Sequence, residues 1–196
     1  MGKYQIIYAD PPWEFKVWSK KGEGRSADVH YKTMTTQDIQ LLPVDKISDT
    51  NSVLLMWATY PCLIQALELG KYWGFEYKTV AFTWVKKNKH NHDFVMSMGY
   101  YTRSNAEICL LFTKGKPLNR KSKGVRQIIF ESDEVIITPL GKHSQKPDEA
   151  RKRIVELFGD VPRIELFARE RSGMFGMDEY KGWDVFGNQI SNSINI

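Results

Sequence analysis

Residues 4–13 read Tyr-Gln-Ile-Ile-Tyr-Ala-Asp-Pro-Pro-Trp, an apolar run that stops where two consecutive prolines stiffen the backbone. The run reads as a buried strand of a parallel sheet. Asp10 then falls at its carboxyl end, the edge where open α/β sheets take their ligands. Pro11 and Pro12 hold φ at about −65° and donate no N–H, which leaves their carbonyls available as acceptors. Trp13 adds a flat aromatic face. A carboxylate, a rigid carbonyl and a stacking surface together suit a planar base that carries an amino group. By chance a chain of this length would contain Asp-Pro-Pro-Trp only about once in a few thousand. A plain strand-to-loop stop would need neither the Asp nor the Trp.

The rest of the chain alternates strands with helices. Thr35-Thr36-Gln37-Asp38 predicts a capped start to a short helix that ends before Pro43. Strands are expected from Ser52 to Ala58, Tyr77 to Val85, Ala106 to Thr113, Arg126 to Phe130, Arg163 to Ala168 and Trp183 to Phe186. Pro61 suits the first turn of a helix that runs to about Trp73 and is closed by Gly74. A second helix opens at Pro147 with acids in its first turn, stops at Gly159, and carries Ala150, Ile154, Leu157 and Phe158 on one face. This succession predicts a three-layer α/β domain with a mainly parallel sheet. Neither an internal repeat nor a low-complexity tract divides the 196 residues, so one domain is expected. Loops at about 14–32, 86–104 and 114–125 are expected to be mobile and to face substrate, and residues 190–196 to form a short tail.

Hydrophobic content of 42% and charged content of 26% are those of a soluble globular protein. No apolar run approaches ~18 residues and the start is polar, so neither a membrane span nor a secretory signal is expected. Cys62 and Cys109 stand apart in apolar surroundings, which suits two reduced thiols in a cytoplasmic protein. His90 and His92 lack companions at ligand spacing, so no metal site is expected. The net charge of +5 favours an anionic partner. Basic residues gather in three loops: Lys16 to Arg25; Lys86, Lys87, Lys89 and the two histidines; and Lys114 to Arg126. Interleaved with Trp13, Trp18, Tyr31, Trp84, Tyr100 and Tyr101, they read as a nucleic-acid surface.

Asp10-Pro11-Pro12-Trp13 after a strand resembles the amino-methyltransferases that use S-adenosylmethionine and act on the exocyclic amine of adenine or cytosine in nucleic acid. The resemblance extends in family order through Tyr31-Lys32-Thr33-Met34, Leu54-Leu55-Met56-Trp57, Trp73-Gly74-Phe75-Glu76, Trp84-Val85-Lys86 and Asn105-Ala106-Glu107-Ile108-Cys109. It continues through His143-Ser144-Gln145-Lys146-Pro147-Asp148-Glu149, Ile164-Glu165-Leu166-Phe167-Ala168-Arg169 and Gly187-Asn188-Gln189. The chain is similar to the branch that contains the catalytic subunit of the eukaryotic mRNA adenosine methyltransferase, and most to its compact bacterial and phage members. That implies a Rossmann-like methyltransferase fold with a permuted order, the Asp10 motif preceding the cofactor-binding strand.

The resemblance also implies roles. Asp10 and the Pro11 carbonyl would accept N–H bonds from the adenine amine, with Pro12 and Trp13 completing the catalytic segment. Lys146 would meet the methionine carboxylate of S-adenosylmethionine, with Asp10 near its ammonium. Glu165, Phe167, Arg169, Asn188 and Gln189 would line the rest of the cofactor site. Tyr31, Lys86, Lys87, Lys89, Arg103, Asn105 and Glu107 would meet nucleic acid, although Glu107 also suits a structural anchor. Only nine residues precede Asp10, so the contact to the cofactor's adenine is expected from Gln127 to Phe130. Phe167-Ala168-Arg169 stands where many DNA enzymes of this kind carry Phe-x-Gly-x-Gly. The implied reaction is N6 methylation of adenine in DNA, with RNA adenosine as the alternative substrate and a non-catalytic nucleic-acid-binding subunit as the alternative class. A homo- or heterodimer is left open.

Overall fold

The computed structural model describes residues 3–14, 34–87, 93–130, 146–169 and 180–196. Strand β1 (Tyr4–Ala9) is buried along nearly its whole length, as a strand covered on both faces must be. It pairs in parallel with β2 (Ser48–Ala58) on one side and β6 (Arg163–Leu166) on the other. Beyond β6 lies β7 (Asp184–Phe186), also parallel. Beyond β2 come β4 (Ala106–Lys114), antiparallel, then β3 (Glu76–Val85), antiparallel to β4, and the short β5 (Ile128–Phe130), parallel to β3. The order is β5-β3-β4-β2-β1-β6-β7, in which β4 alone runs against the other described strands. The mainly parallel sheet expected from the sequence is present.

Side-chain alternation sets the layers. Ile7, Ala9, Leu54, Met56 and Leu110 face one side, where Ile39, Ala66, Leu69 and Trp73 cover them. These come from α1 (Thr36–Gln40), α3 (Leu63–Tyr72) and the turn that ends α3, with the single-turn α2 (Val44–Ile47) adding Val44 and Ile47. Ile6, Tyr8, Val53, Leu55, Trp57 and Cys109 face the other side, under Ala150, Ile154 and Phe158 of α4 (Asp148–Phe158) and under Trp183. Helices on both faces of one sheet make the three-layer α/β arrangement.

Local chemistry fixes the ends. Thr35 Oγ1 accepts the Asp38 N–H at 3.1 Å and so caps α1. Pro61 lies in a 3₁₀ turn (Tyr60–Cys62) that leads into α3. Gly74 closes that helix at φ +83°, where a residue with Cβ would be strained. Pro147 is the residue before α4, not its first helical residue. β2 begins four residues earlier than expected, and β6 stops at Leu166, two residues short of Ala168. The early stop has a visible cause: Phe167 adopts φ +62°, which ends the extended run.

Candidate active site

Parallel strands deliver their carboxyl ends to one edge. The residues after β1, β2, β3, β6 and β7 therefore meet there, together with the first residues of the reversed β4. Asp10 follows β1, its N–H within 3.5 Å of the Leu166 carbonyl of β6. Pro11 and Pro12 are buried, and their carbonyls are already engaged: Pro11 O accepts from Trp13 N–H at 2.8 Å and Pro12 O from Met34 N–H at 3.1 Å. A carbonyl has two lone pairs, so Pro11 keeps one for a further donor. The Trp13 ring is buried in the first core layer, and its Nε1 donates to the Trp57 carbonyl at 3.0 Å. Fixed in this way, the indole is a wall.

Four alternating charges run along this edge. Lys146, just before α4, places Nζ at 2.8 Å and 2.9 Å from the two carboxylate oxygens of Asp10. The same Nζ lies 3.2 Å from Oε2 of Glu107, the second residue of β4. Glu107 Oε1 accepts from Nζ of Lys86, the residue after β3. Two indoles underlie the cations, with Lys146 Nζ at 5.9 Å from the Trp57 ring and Lys86 Nζ at 4.6 Å from that of Trp84. Tyr8 and Trp57 are locked beneath by a buried Nε1-to-hydroxyl bond of 2.6 Å.

Burial alone would raise the Glu107 carboxyl, yet the ammonium groups of Lys146 and Lys86 outweigh it and hold its pKa down at about 2. Lys146 is raised despite its burial, because Asp10 and Glu107 both favour its charged form. Burial raises Asp10, and Glu107 adds to that, against the pull of Lys146 and Arg169. Asp10 is thus a desolvated carboxyl that further hydrogen-bond donors would stabilise.

The other residues expected to meet the cofactor gather around β6 and β7. Beyond the left-handed Phe167, Ala168 N–H donates to the Phe186 carbonyl at 3.1 Å, and Arg169 and Gln189 form a parallel bridge. Tyr180 hydroxyl donates to the Arg169 carbonyl at 2.8 Å. Asn188 and Gln189 are exposed beside this join. Gly187 is required there: a Cβ would lie 2.1 Å from the Ala168 carbonyl oxygen. Glu165 is turned into the other layer, where it accepts from Arg151 Nη1 of α4 at 2.7 Å.

The tail, expected only as a short extension, also takes part in this turn. Asn192 Oδ1 accepts the Gly187 N–H at 2.8 Å, and Ser193 N–H donates to the Val185 carbonyl at 2.8 Å. No local motif marks residues 190–196; only the two Asn and two Ser of that stretch hint at side-chain-to-backbone bonds.

Of the residues expected to meet nucleic acid, Arg103 and Asn105 are exposed close to the β4 entrance, and the Asn105 carbonyl accepts from Lys86 N–H at 2.9 Å. Lys87 Nζ lies 5.1 Å from the Phe130 ring. Tyr31 and Lys89 lie outside the described residues, as do His90, His92 and most of the loop at 14–32. Two expectations are corrected by the sheet. Gln127 to Phe130 sit at and before β5, five strand spacings or about 24 Å from β6, too far to complete a cofactor site around Phe167. The basic residues from Lys114 onward leave the end of β4, which is reversed, and so they emerge at the opposite edge. There Lys114 Nζ donates to Ser48 Oγ at 2.9 Å and Lys121 N–H to the Leu157 carbonyl at 2.8 Å. Among the described residues, no group of three or more His, Cys, Asp or Glu side chains is placed to hold a metal. No described helix is long and apolar enough to cross a membrane.

A cofactor with an amino-acid end fits this donor set. Asp10 offers an ammonium a carboxylate whose pKa is raised by burial, and Lys146 and Arg169 are the neighbouring cations for a carboxylate.

The same stretch of chain is found in other proteins. The family model MT-A70 matches residues 4–189. The type II methyltransferase M.MunI of Mycoplasma sp is 36% identical over 99% of this chain and 81% of its own length. The METTL3 catalytic subunit of the N(6)-adenosine-methyltransferase from Homo sapiens is 27% identical over 97% of this chain, which spans only 29% of that protein. A Drosophila melanogaster MT-A70-like protein is 28% identical over the same share, spanning 27% of its length. With the Asp10 motif, the permuted strand order and the β6–β7 mouth all falling inside the matched residues, the chain belongs to the MT-A70 family of methyltransferases.

Proposed function

We propose that this protein transfers a methyl group from S-adenosylmethionine to the N6 amine of adenine in DNA. The observation that carries the reading is Asp10: a part-buried carboxylate on a rigid Pro-Pro exit, gripped through both oxygens by Lys146. The adenine amine is a weak nucleophile because its lone pair is delocalised into the ring. Accepting one N–H on Asp10 Oδ and the other on the remaining lone pair of Pro11 O would draw that nitrogen towards tetrahedral geometry. Positive charge then develops on nitrogen, so the Asp10 interaction strengthens in the transition state. Asp10, raised by its burial, is also a better proton acceptor than an ordinary carboxylate. S-adenosylmethionine, when bound, supplies the electrophilic methyl group. Lys146 and Arg169 would bind its carboxylate end, Asp10 its ammonium, and Phe167, Asn188 and Gln189 the remainder. Glu165, tied to Arg151, would hold β6 against α4.

DNA is preferred over RNA because the relative named as a type II methyltransferase is nearer in sequence, and over 81% of its own length, than the one from Homo sapiens named for adenosine, matched over 29%. A duplex substrate would have its adenine turned out of the stack to reach Asp10. A cytoplasmic location suits that substrate. Tritium transfer from S-adenosylmethionine to duplex DNA, single-stranded DNA and RNA, followed by nucleoside analysis, tests the reading. N6-methyldeoxyadenosine is expected. Label confined to RNA would move the substrate to adenosine, and no label on any of the three would make the chain a non-catalytic member.

A further inference from the structure

Between β3 and β4 the chain builds a small platform that the reaction itself does not need. Val95 N–H donates to the Lys86 carbonyl and Ser97 N–H to the Ser104 carbonyl, both at 2.9 Å, with antiparallel bridges at Lys87–Phe94 and Ser97–Ser104. Residues 93–104, tied to Lys86 and Lys87 at their root, thus form a ribbon on the site edge. Its tip is a tight turn: a Cβ on Gly99 would lie 1.9 Å from the Thr102 carbonyl oxygen. That turn holds out Tyr100 and Tyr101, which are 73% and 93% exposed, with ring centroids 4.9 Å apart and planes at 90°. Met96 and Phe94 are exposed behind them. A cluster of large apolar side chains held in water by a shaped turn marks a contact surface.

We propose that Tyr100 and Tyr101 form a base-stacking platform for the nucleotides that flank the target adenine. This deepens the function proposed above and rests on it. Charge selects the partner. Of the described charged side chains on this excursion and its roots, Lys86 and Glu107 pair with each other, and Lys87 and Arg103 are the further cations against Asp93. Flat rings beside cations are the combination that holds single-stranded nucleic acid. Geometry assigns the nucleotides. From β1 to β3 there are three strand spacings, about 14 Å, equivalent to about four stacked nucleotides at 3.4 Å each. The root of the ribbon thus stands a few nucleotides from the Asp10 pocket, and the tyrosines at its tip are assigned to neighbours of the base held there. Two rings at right angles cannot lie in one continuous stack. They suit a strand that changes direction, as it does where a nucleotide is turned out.

The test uses single-stranded oligothymidylate, which offers no adenine to the Asp10 pocket, and an oligomer of equal length whose sugars are abasic. Wild type should bind the base-bearing strand about tenfold or more tightly, as stacked bases contribute. Tyr100→Leu with Tyr101→Leu should abolish that preference while affinity for the abasic strand stays unchanged; Tyr100→Phe with Tyr101→Phe should retain it. An unchanged preference in the leucine variant, or an equal loss on both strands, overturns the proposal. So does a dimer in wild type that the leucine variant dissociates without touching the preference, which would make the surface a contact for a second copy. Methyl transfer to adenine-containing DNA, measured beside these titrations, separates the two readings. A platform that behaves as expected in a chain that transfers no methyl sinks the activity and leaves the surface standing.

Discussion

Lys146 Nζ holds both carboxylate oxygens of Asp10, at 2.8 Å and 2.9 Å, across a sequence separation of 136 residues. This ties the start of the chain, where the acceptor stands, to the segment that opens α4. Glu107 braces the lysine from a third element, and Lys86 braces Glu107 from a fourth. An acceptor held by so many independent strands has little freedom to move when substrate arrives, and that is what makes a hydrogen bond effective in a transition state.

Asp10→Asn keeps size and loses the charge. Turnover should fall by about 10²-fold or more, the scale seen when a transition-state hydrogen-bonding group is lost, with circular dichroism unchanged. Because burial raises Asp10, protonation removes the acceptor at a higher pH than for an ordinary carboxylate. The acid limb of kcat/KM should therefore lie above 3.8, the usual Asp value, and should disappear in Asp10→Asn. A limb at or below that value would detach Asp10 from the rate.

Glu107 is expected to contribute stability with a defined pH window. Its folded pKa of about 2 lies below the ordinary 4.5, so the unfolded chain binds its proton first. The stabilisation is complete above about 4.5 and is lost as pH falls towards 2. Glu107→Ala leaves Lys146 and Lys86 without their shared partner. Lys146 keeps Asp10 and Lys86 is partly exposed, so the loss should fall below the ~3–5 kcal/mol of a buried charge left with no partner. Thermal melts should show the deficit at pH 7 and a smaller one near pH 3. An equal deficit at both would mean that packing, not charge, is what Glu107 supplies.

Asn192 accepts the Gly187 N–H, and an Asp there would accept it equally well. Asn192→Ala should weaken S-adenosylhomocysteine binding severalfold by loosening the Asn188–Gln189 turn, whereas Asn192→Asp should restore it. Calorimetry on the two variants decides; the same affinity in both would remove the tail from the cofactor site.

The basic loops divide by edge. Neutralising Lys87 and Arg103 together should lower DNA affinity and flatten its salt dependence, as counterions are no longer released. Neutralising Arg120, Lys121 and Lys123 should leave DNA affinity near wild type, since the reversed β4 carries that loop away from Asp10. Titrations at two salt concentrations would show which group matters, and a larger loss from the second set would contradict the placement.

Much was written locally. The apolar run before Asp10, the prolines that end it, the Thr35 cap and Gly74 each act through neighbours in sequence, so strands, helices and the carboxyl-end position of Asp10 could be read from spacing alone. Strand direction could not. An apolar stretch reads the same in either sense, and only its pairing with β2, from Ser52 with Lys114 to Ala58 with Ile108, reverses β4. That one reversal brings Glu107 to Lys146 and sends Lys114 to the far side. The left-handed turn at Phe167, the Asn192 clamp and the turning of Glu165 towards Arg151 are likewise invisible in sequence. Each depends on a partner supplied by another element, and charge and hydrogen-bond partners across such distances are settled only when the sheet is assembled.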